Sequence, residues 1–190
     1  MNIKGGYEEH LLGFLSLYET TSNDGYIGSL LITDFQGIPQ EFRCTHPIKP
    51  TAVQKVLYGD SLEPFIGVNL CGSSLLKSTQ TVPSILIVDK NYLIDIRKIT
   101  TFPVIYVRKA GETIDLSLSE GNKIGKRDRI DPPNSKSHPL IIISHPDFSD
   151  DLSVAKKILE KIFIILDPLE PFHRMLKAIE VLGKQDKIFK

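Results

Sequence analysis

What this sequence has little of excludes more than its motifs assert. It holds no tryptophan and only two cysteines, Cys44 and Cys71, in 190 residues. The two share no CxxC or other close metal-binding spacing, so neither a disulfide framework nor a cysteine-based metal centre is expected. Both read as buried, reduced thiols, which fits a cytoplasmic protein. Long apolar runs are missing too. A membrane helix needs about 20 apolar residues, and the runs Leu140 to Ile143 and Ile162 to Leu166 are far shorter. Leu11 to Leu17 follows Lys4, but no small-residue cleavage site comes after it, so it reads as a strand and not a secretion signal. An excess of one charge is also absent, with 23 Lys plus Arg against 23 Asp plus Glu. That balance argues against a chain-wide basic surface for nucleic acid and leaves only local patches. No Walker loop, GxGxxG after a strand, GxSxG or HExxH is present.

What is present is enough apolar residue, 41% of the chain, to build a full core in one domain spanning 1–190. Residues 1–10 read as a loose leader, 11–108 as the central unit, 109–138 as a long connection, 139–182 as a strand plus two helices, and 183–190 as a frayed tail. Leu11 to Glu19, Tyr26 to Asp34 and Glu41 to His46 read as strands. The turn residues Ser22-Asn23-Asp24-Gly25 and Gln36-Gly37-Ile38-Pro39 make them an antiparallel meander. Pro47 and Pro50 stop the third strand. Thr51, with Gln54 three residues on, is a capping box opening a helix that Gly59 ends. Val53, Val56 and Leu57 are its expected apolar face. Pro64 to Ser78 is helical but weakened by Gly67 and Gly72. Ser84 to Asp89 and Pro103 to Arg108 are strands, with Asn91 to Ile99 either a short helix or part of a hairpin. The connection 109–138 is long for a structureless loop, and one hairpin around Thr113 to Leu118 is a candidate within it. Leu140 to Ile143 is a buried strand. Leu152, Ala155, Leu159, Ile162, Phe163 and Leu166 then mark an amphipathic helix capped by Ser149 or Asp150, and a last helix covers about 171–182.

The expected fold is therefore mixed α/β. A three-stranded antiparallel meander is followed by alternating helices and strands in one mixed sheet, with a C-terminal helix pair. The same order is that of a ribonuclease H-like fold. Such nucleases hold two divalent metals with carboxylates on the first strand, the first helix and the end of the fourth strand. Asp89 stands at the end of the fourth strand and Glu63 in the helical region. The first strand has no acid in its centre, since Glu19 is at its end and Asp34 is on the second strand. The catalytic candidates are thus Asp89, Glu63 and Asp34.

The segment Asp60-Ser61-Leu62-Glu63-Pro64-Phe65 echoes Asp167-Pro168-Leu169-Glu170-Pro171-Phe172. Local chemistry accounts for it: each glutamate is expected just outside a helix, and each proline at the first helical position, where a missing N–H is harmless. Arg43, His46 and Lys49 are candidates for a small anion-binding surface beside the Thr51 helix start. Lys123, Lys126, Arg127 and Arg129 form a basic loop segment suited to phosphate or an acidic partner. His46, His138 and His145 each precede a proline and read as strand boundaries, and His173 as solvated. The block Glu41 to Gly59, EFRCTHPIKPTAVQKVLYG, resembles one in uncharacterised bacterial proteins of similar size. The resemblance covers roughly residues 11–90, with a weaker echo in the C-terminal helices, and implies no activity.

With no convergent acid, base and nucleophile in its motifs, the chain reads first as a non-catalytic accessory subunit of a larger bacterial assembly. Its expected partner is another protein, and no cofactor or metal is expected. Two alternatives stand beside it. One is a metal-dependent nuclease, or an inactive relative, which alone implies a divalent metal. The other is a weak nucleic-acid binder using the basic segment.

Overall fold

Seven strands line up in one sheet in the order β3-β2-β1-β4-β5-β7-β6. The computed structural model describes residues 11–20, 22, 24–112, 125–133, 138–186 and 189. The hairpin expected around Thr113 to Leu118 and the candidate Lys123 lie outside the described residues. Strands β1 (Leu12–Glu19), β2 (Tyr26–Thr33) and β3 (Pro39–Cys44) form the antiparallel meander. Strand β4 (Ile85–Val88) then pairs parallel to β1, and β5 (Val104–Lys109) parallel to β4. A parallel pair cannot be a hairpin. The segment between them is accordingly helical: a 3-10 stretch over Asn91–Ile99.

The central strands are apolar on both faces because both are covered. On one face, Leu12, Phe14, Ile85, Ile87 and Ile105 pack against α4 (Asp151–Ile162) and α5 (Glu170–Gln185). On the other face, Leu15, Leu86 and Val88 meet Leu75, Leu93 and Ile96, while Leu17 meets Leu62, Ile66 and Cys71. The long helical stretch on that face starts as α2 (Leu62–Phe65), widens to a π-helix over Ile66–Gly72 and ends as α3 (Ser73–Ser78). Its glycines serve close packing. A Cβ on Gly72 would collide with Ile96, and one on Gly28 of β2 would collide with Cys71. These close approaches explain why Gly residues, poor helix formers, interrupt the helical pattern.

Several expectations change. The 109–138 connection contains a fourth antiparallel element, β6 (Arg127–Ile130), which pairs with β7 (Leu140–Ser144). Its pattern Arg-Asp-Arg-Ile carries one apolar residue, too few to announce a strand; as an edge strand it buries only Ile130. Helix α1 (Ala52–Tyr58) has its capping box, with Thr51 and Gln54 bonded reciprocally, but buries no residue. Val53, Val56 and Leu57 face solvent, Val56 at 83% exposure. The helix is held by its own cap and not by a core. Glu63 and Pro64 fall inside α2 because a 3-10 turn over Gly59–Ser61 already starts the helical path. Pro171 does sit in the first turn of α5, whereas Glu170 is that helix's first residue. Helix α5 runs to Gln185, shortening the expected tail. Asp150 stands at the N-cap of α4 without a side-chain cap bond. Cys71 is buried as expected and Cys44 only half-buried, both as free thiols.

Candidate functional site

The parallel register between β1 and β4 sets Leu15 beside Val88. Ser16 is thereby level with Asp89, one residue past the end of β4, and its hydroxyl donates to Asp89 Oδ2 at 2.9 Å. Alternate residues of a strand face opposite sides. Ser16 and Tyr18 therefore project with Phe14 toward α5, where the Tyr18 hydroxyl donates to the Phe172 carbonyl at 2.9 Å. Asp89 Oδ1 is shut from solvent and has no hydrogen-bond partner. Burial pushes the Asp89 carboxyl up to about 6, against the opposing Ser16 hydroxyl and the nearby Lys90 charge. Burial, and next the Asp89 charge, also hold the Tyr18 phenol well above its ordinary value.

A cavity of about 260 Å³ opens here between the sheet end and α5, lined by Tyr18, Asp89, Tyr106, Arg108, Phe172 and His173 among others. Arg108 brings a second unpartnered buried atom, its Nε, while its Nη1 donates to the Glu112 and Lys109 carbonyls. His173 Nδ1 lies 3.3 Å from the Leu169 carbonyl. A carbonyl only accepts, so this contact places the proton on Nδ1 and leaves Nε2 available.

The other candidates do not gather at this point. Asp34 belongs to the β2–β3 turn, where its Oδ1 accepts from the Gln36 and Ile38 backbone N–H groups, both at 2.9 Å. Thr33 pairs with Leu12, so Asp34 sits beyond the far end of β1, roughly 17 Å along the strand from Ser16. Glu63 approaches from the opposite face of the sheet with α2. Its Oε1 accepts the Tyr92 hydroxyl at 2.6 Å; burial first, and then this bond to Glu63, hold that phenol far above its ordinary value. Glu19 lines a separate, larger cleft of about 630 Å³ with Ile27, Ile179 and Phe189.

A two-metal centre therefore does not fit the residues present. Ser16 occupies the first-strand position where an acid is needed. Among the described residues no group of three His, Cys, Asp or Glu is placed to hold a metal ion. Asp89 is the one expected carboxylate whose position and free oxygen suit chemistry.

The cationic candidates also disperse. Arg43 pairs with Glu41 on its own strand, Lys49 with Asp24 at 2.9 Å, and His46 stacks on Phe189. The expected anion surface is thus taken up by local partners. Lys126 and Arg127 are exposed at and beside the edge strand β6, and Arg129 pairs with Asp131 at 2.8 Å. His138 is exposed, while His145 is 3% exposed and bonded to Asp95 at 3.1 Å.

Sequence reasoning passed over Ser16, Tyr18, Tyr106 and Arg108, and took His173 as merely solvated. One signal was available. Ser16 and Tyr18 are polar residues two apart in the otherwise apolar stretch Leu12 to Tyr18, on the same side as Phe14.

Neither a protein-family model nor a curated protein sequence matches the chain. Solved structures do. Endonuclease V from Bacillus subtilis is similar at a TM-score of 0.58 and 10% identity, covering 93% of this chain and 84% of its own. Human ENDOV is similar at 0.56 and 14%, covering 94% and 87%. Endonuclease V from Ciona intestinalis, in complex with a 24-mer DNA containing an inosine followed by a ribo-adenosine, is similar at 0.54 and 14%, covering 81% and 77%. At these identities the likeness establishes the ribonuclease H-like fold. It also corrects the expectation of a non-catalytic accessory subunit and the leaning away from an enzyme, because these three similar structures are endonuclease V proteins. The expected protein partner finds no support among them. No helix among the described residues is long and apolar enough to cross a membrane.

Proposed function

We propose that this chain is a nuclease-class enzyme that acts on nucleic acid at the C-terminal end of its central strands. The observation that carries the reading is Asp89, a residue of the cavity wall whose Oδ1 is buried and unpartnered. Its place, just past the end of the fourth strand, is where the sequence order of this fold expects a carboxylate. An unpaired buried acceptor is unfavourable unless something uses it. A carboxyl held near 6 both takes and returns protons near neutral pH. Arg108 brings a fixed positive charge to the same cavity, suited to a phosphate. Lys126 and Arg127, exposed on the sheet's flank, supply charge for a nucleic-acid backbone. The solved endonuclease V from Ciona intestinalis, with bound DNA, lends the nucleic-acid class.

The test is strand cleavage by the full chain of inosine-containing and unmodified DNA and RNA oligonucleotides, beside Asp89→Asn. Cleavage of at least one of these by the wild type is expected, with a loss of about 100-fold or more in the variant. Equal cleavage by the variant would remove Asp89 from the reaction.

A further inference from the structure

The cavity that holds Asp89 lacks the donor set for two metals among the described residues, yet it gathers a guanidinium, an imidazole and two carboxylates, of which Glu112 already accepts from the Lys109 backbone N–H. Asp89 Oδ1 and Arg108 Nε are buried and unpartnered, and both residues line the wall. His173 lies at the same wall with Nε2 free of its Leu169 contact. A base, a fixed cation and a proton donor around one space make up the set for displacement at phosphorus without a metal-activated water. A nucleophile carried by the substrate suits such a set best. A ribose 2′-hydroxyl is held beside its own 3′-phosphate, and such intramolecular attack gains several kcal/mol over attack by a separate molecule.

Resting on the nuclease reading above, we infer that this site cleaves RNA by internal transesterification, with Asp89 as base, Arg108 on the phosphate and His173 as acid. The ionised Asp89 carboxylate takes the 2′-hydroxyl proton. The O2′–P bond forms as the P–O5′ bond breaks. Protonated His173 gives its Nε2 proton to the departing O5′, while the Arg108 guanidinium faces the non-bridging oxygens. The products are a 2′,3′-cyclic phosphate and a 5′-hydroxyl. The enzyme is left with Asp89 protonated and His173 neutral, and exchange with water resets both. No oxidant, reductant or second substrate enters the balance. DNA lacks the nucleophile and is not cut by this route. The Ser16 donor and the Lys90 charge favour the ionised carboxylate that the step requires, and burial opposes it.

The experiment uses the full chain with one single-stranded RNA oligonucleotide and its all-deoxy counterpart. Each is incubated with EDTA, with Mg²⁺ and with Mn²⁺, and product ends are read by mass. The expected result is RNA cleavage undiminished by EDTA, cyclic phosphate ends and intact DNA. Asp89→Asn and His173→Gln, purified identically, should each lose about 100-fold or more. His173 is exposed, so its variant folds and keeps that arm decisive. Cleavage that requires a divalent ion, leaves 3′-hydroxyl and 5′-phosphate ends, or treats both oligonucleotides alike overturns the internal mechanism and leaves the nuclease reading standing. Absence of any cleavage under all three conditions overturns both.

Discussion

Two aspartates near opposite ends of β5, Asp151 buried and Asp89 partly so, are treated in opposite ways. Asp151, 6% exposed at the start of α4, is fully engaged. Its carboxylate accepts from Arg97 Nε at 2.6 Å, Arg97 Nη2 at 3.3 Å and the Val104 backbone N–H at 3.2 Å. The Arg97 guanidinium also lies over the Phe148 ring, 4.1 Å from its centroid. These bonds tie α4, the 3-10 stretch and the start of β5 together. Asp89 has one side-chain donor, Ser16, and a second oxygen that is buried without a hydrogen-bond partner. A buried carboxylate saturated by partners is a structural clasp. One left short of partners is held at a stability penalty, the condition in which a site can do chemistry.

The comparison breaks most sharply at the clasp. Asp151→Ala removes one member of a buried bidentate pair and strands Arg97. A loss of about 3–5 kcal/mol is expected, read as a fall of roughly 10 °C in Tm. If Tm falls by only a degree or two, Asp151 is no clasp.

Next in size is Asp89→Asn, with the opposite sign. The folded carboxyl stands near 6, above its ordinary 3.8. The native state therefore binds the proton more tightly than the unfolded chain. Wild-type stability is fullest below about pH 4, declines as pH rises toward 6, and stays reduced above it. Asparagine carries no charge to bury. At pH 8 the variant should gain up to about 3 kcal/mol over the wild type, and at pH 4 almost nothing. Denaturant titration at the two pH values reads the difference. A variant destabilised equally at both would show that the carboxylate is a clasp after all. Together with lost cleavage, the expected gain would mark Asp89 as kept for function against stability.

The smallest effect is expected at an exposed pair of the same chemistry. Lys156 bonds Asp128 at 2.7 Å with both side chains more than a third exposed. Lys156→Ala should change stability by less than about 1 kcal/mol. A larger loss would show that burial is not what separates these pairs.

Much of the fold was legible because periodicity is local. The meander, the capping box at Thr51, the strand at Ile85 and the amphipathic helix from Asp151 follow from alternation, turn residues and spacing. β6 escaped because an edge strand needs little apolar residue. The exposure of α1 escaped because Val53, Val56 and Leu57 show a helical stripe whether or not anything covers it. Of the site, only Asp89 was legible, as an acid after a buried strand. Glu63 and Asp34 carried the same credential of type and failed on position: one is bonded to Tyr92 on the other face, the other holds a turn at the far end of β1. The first-strand vacancy was visible in the sequence, but that Ser16 fills it and bonds Asp89 was not.

The sequence by itself determined the order of strands and helices, because each is specified by a few neighbouring residues burying one or two faces. Tertiary structure alone decided which acids keep company. The β1–β4 register brings Ser16 to Asp89 across 73 residues, and α5, folding back from the far end of the chain, closes the cavity with Phe172 and His173. Such long-range coincidences depend on how packed layers meet, and no local pattern encodes that.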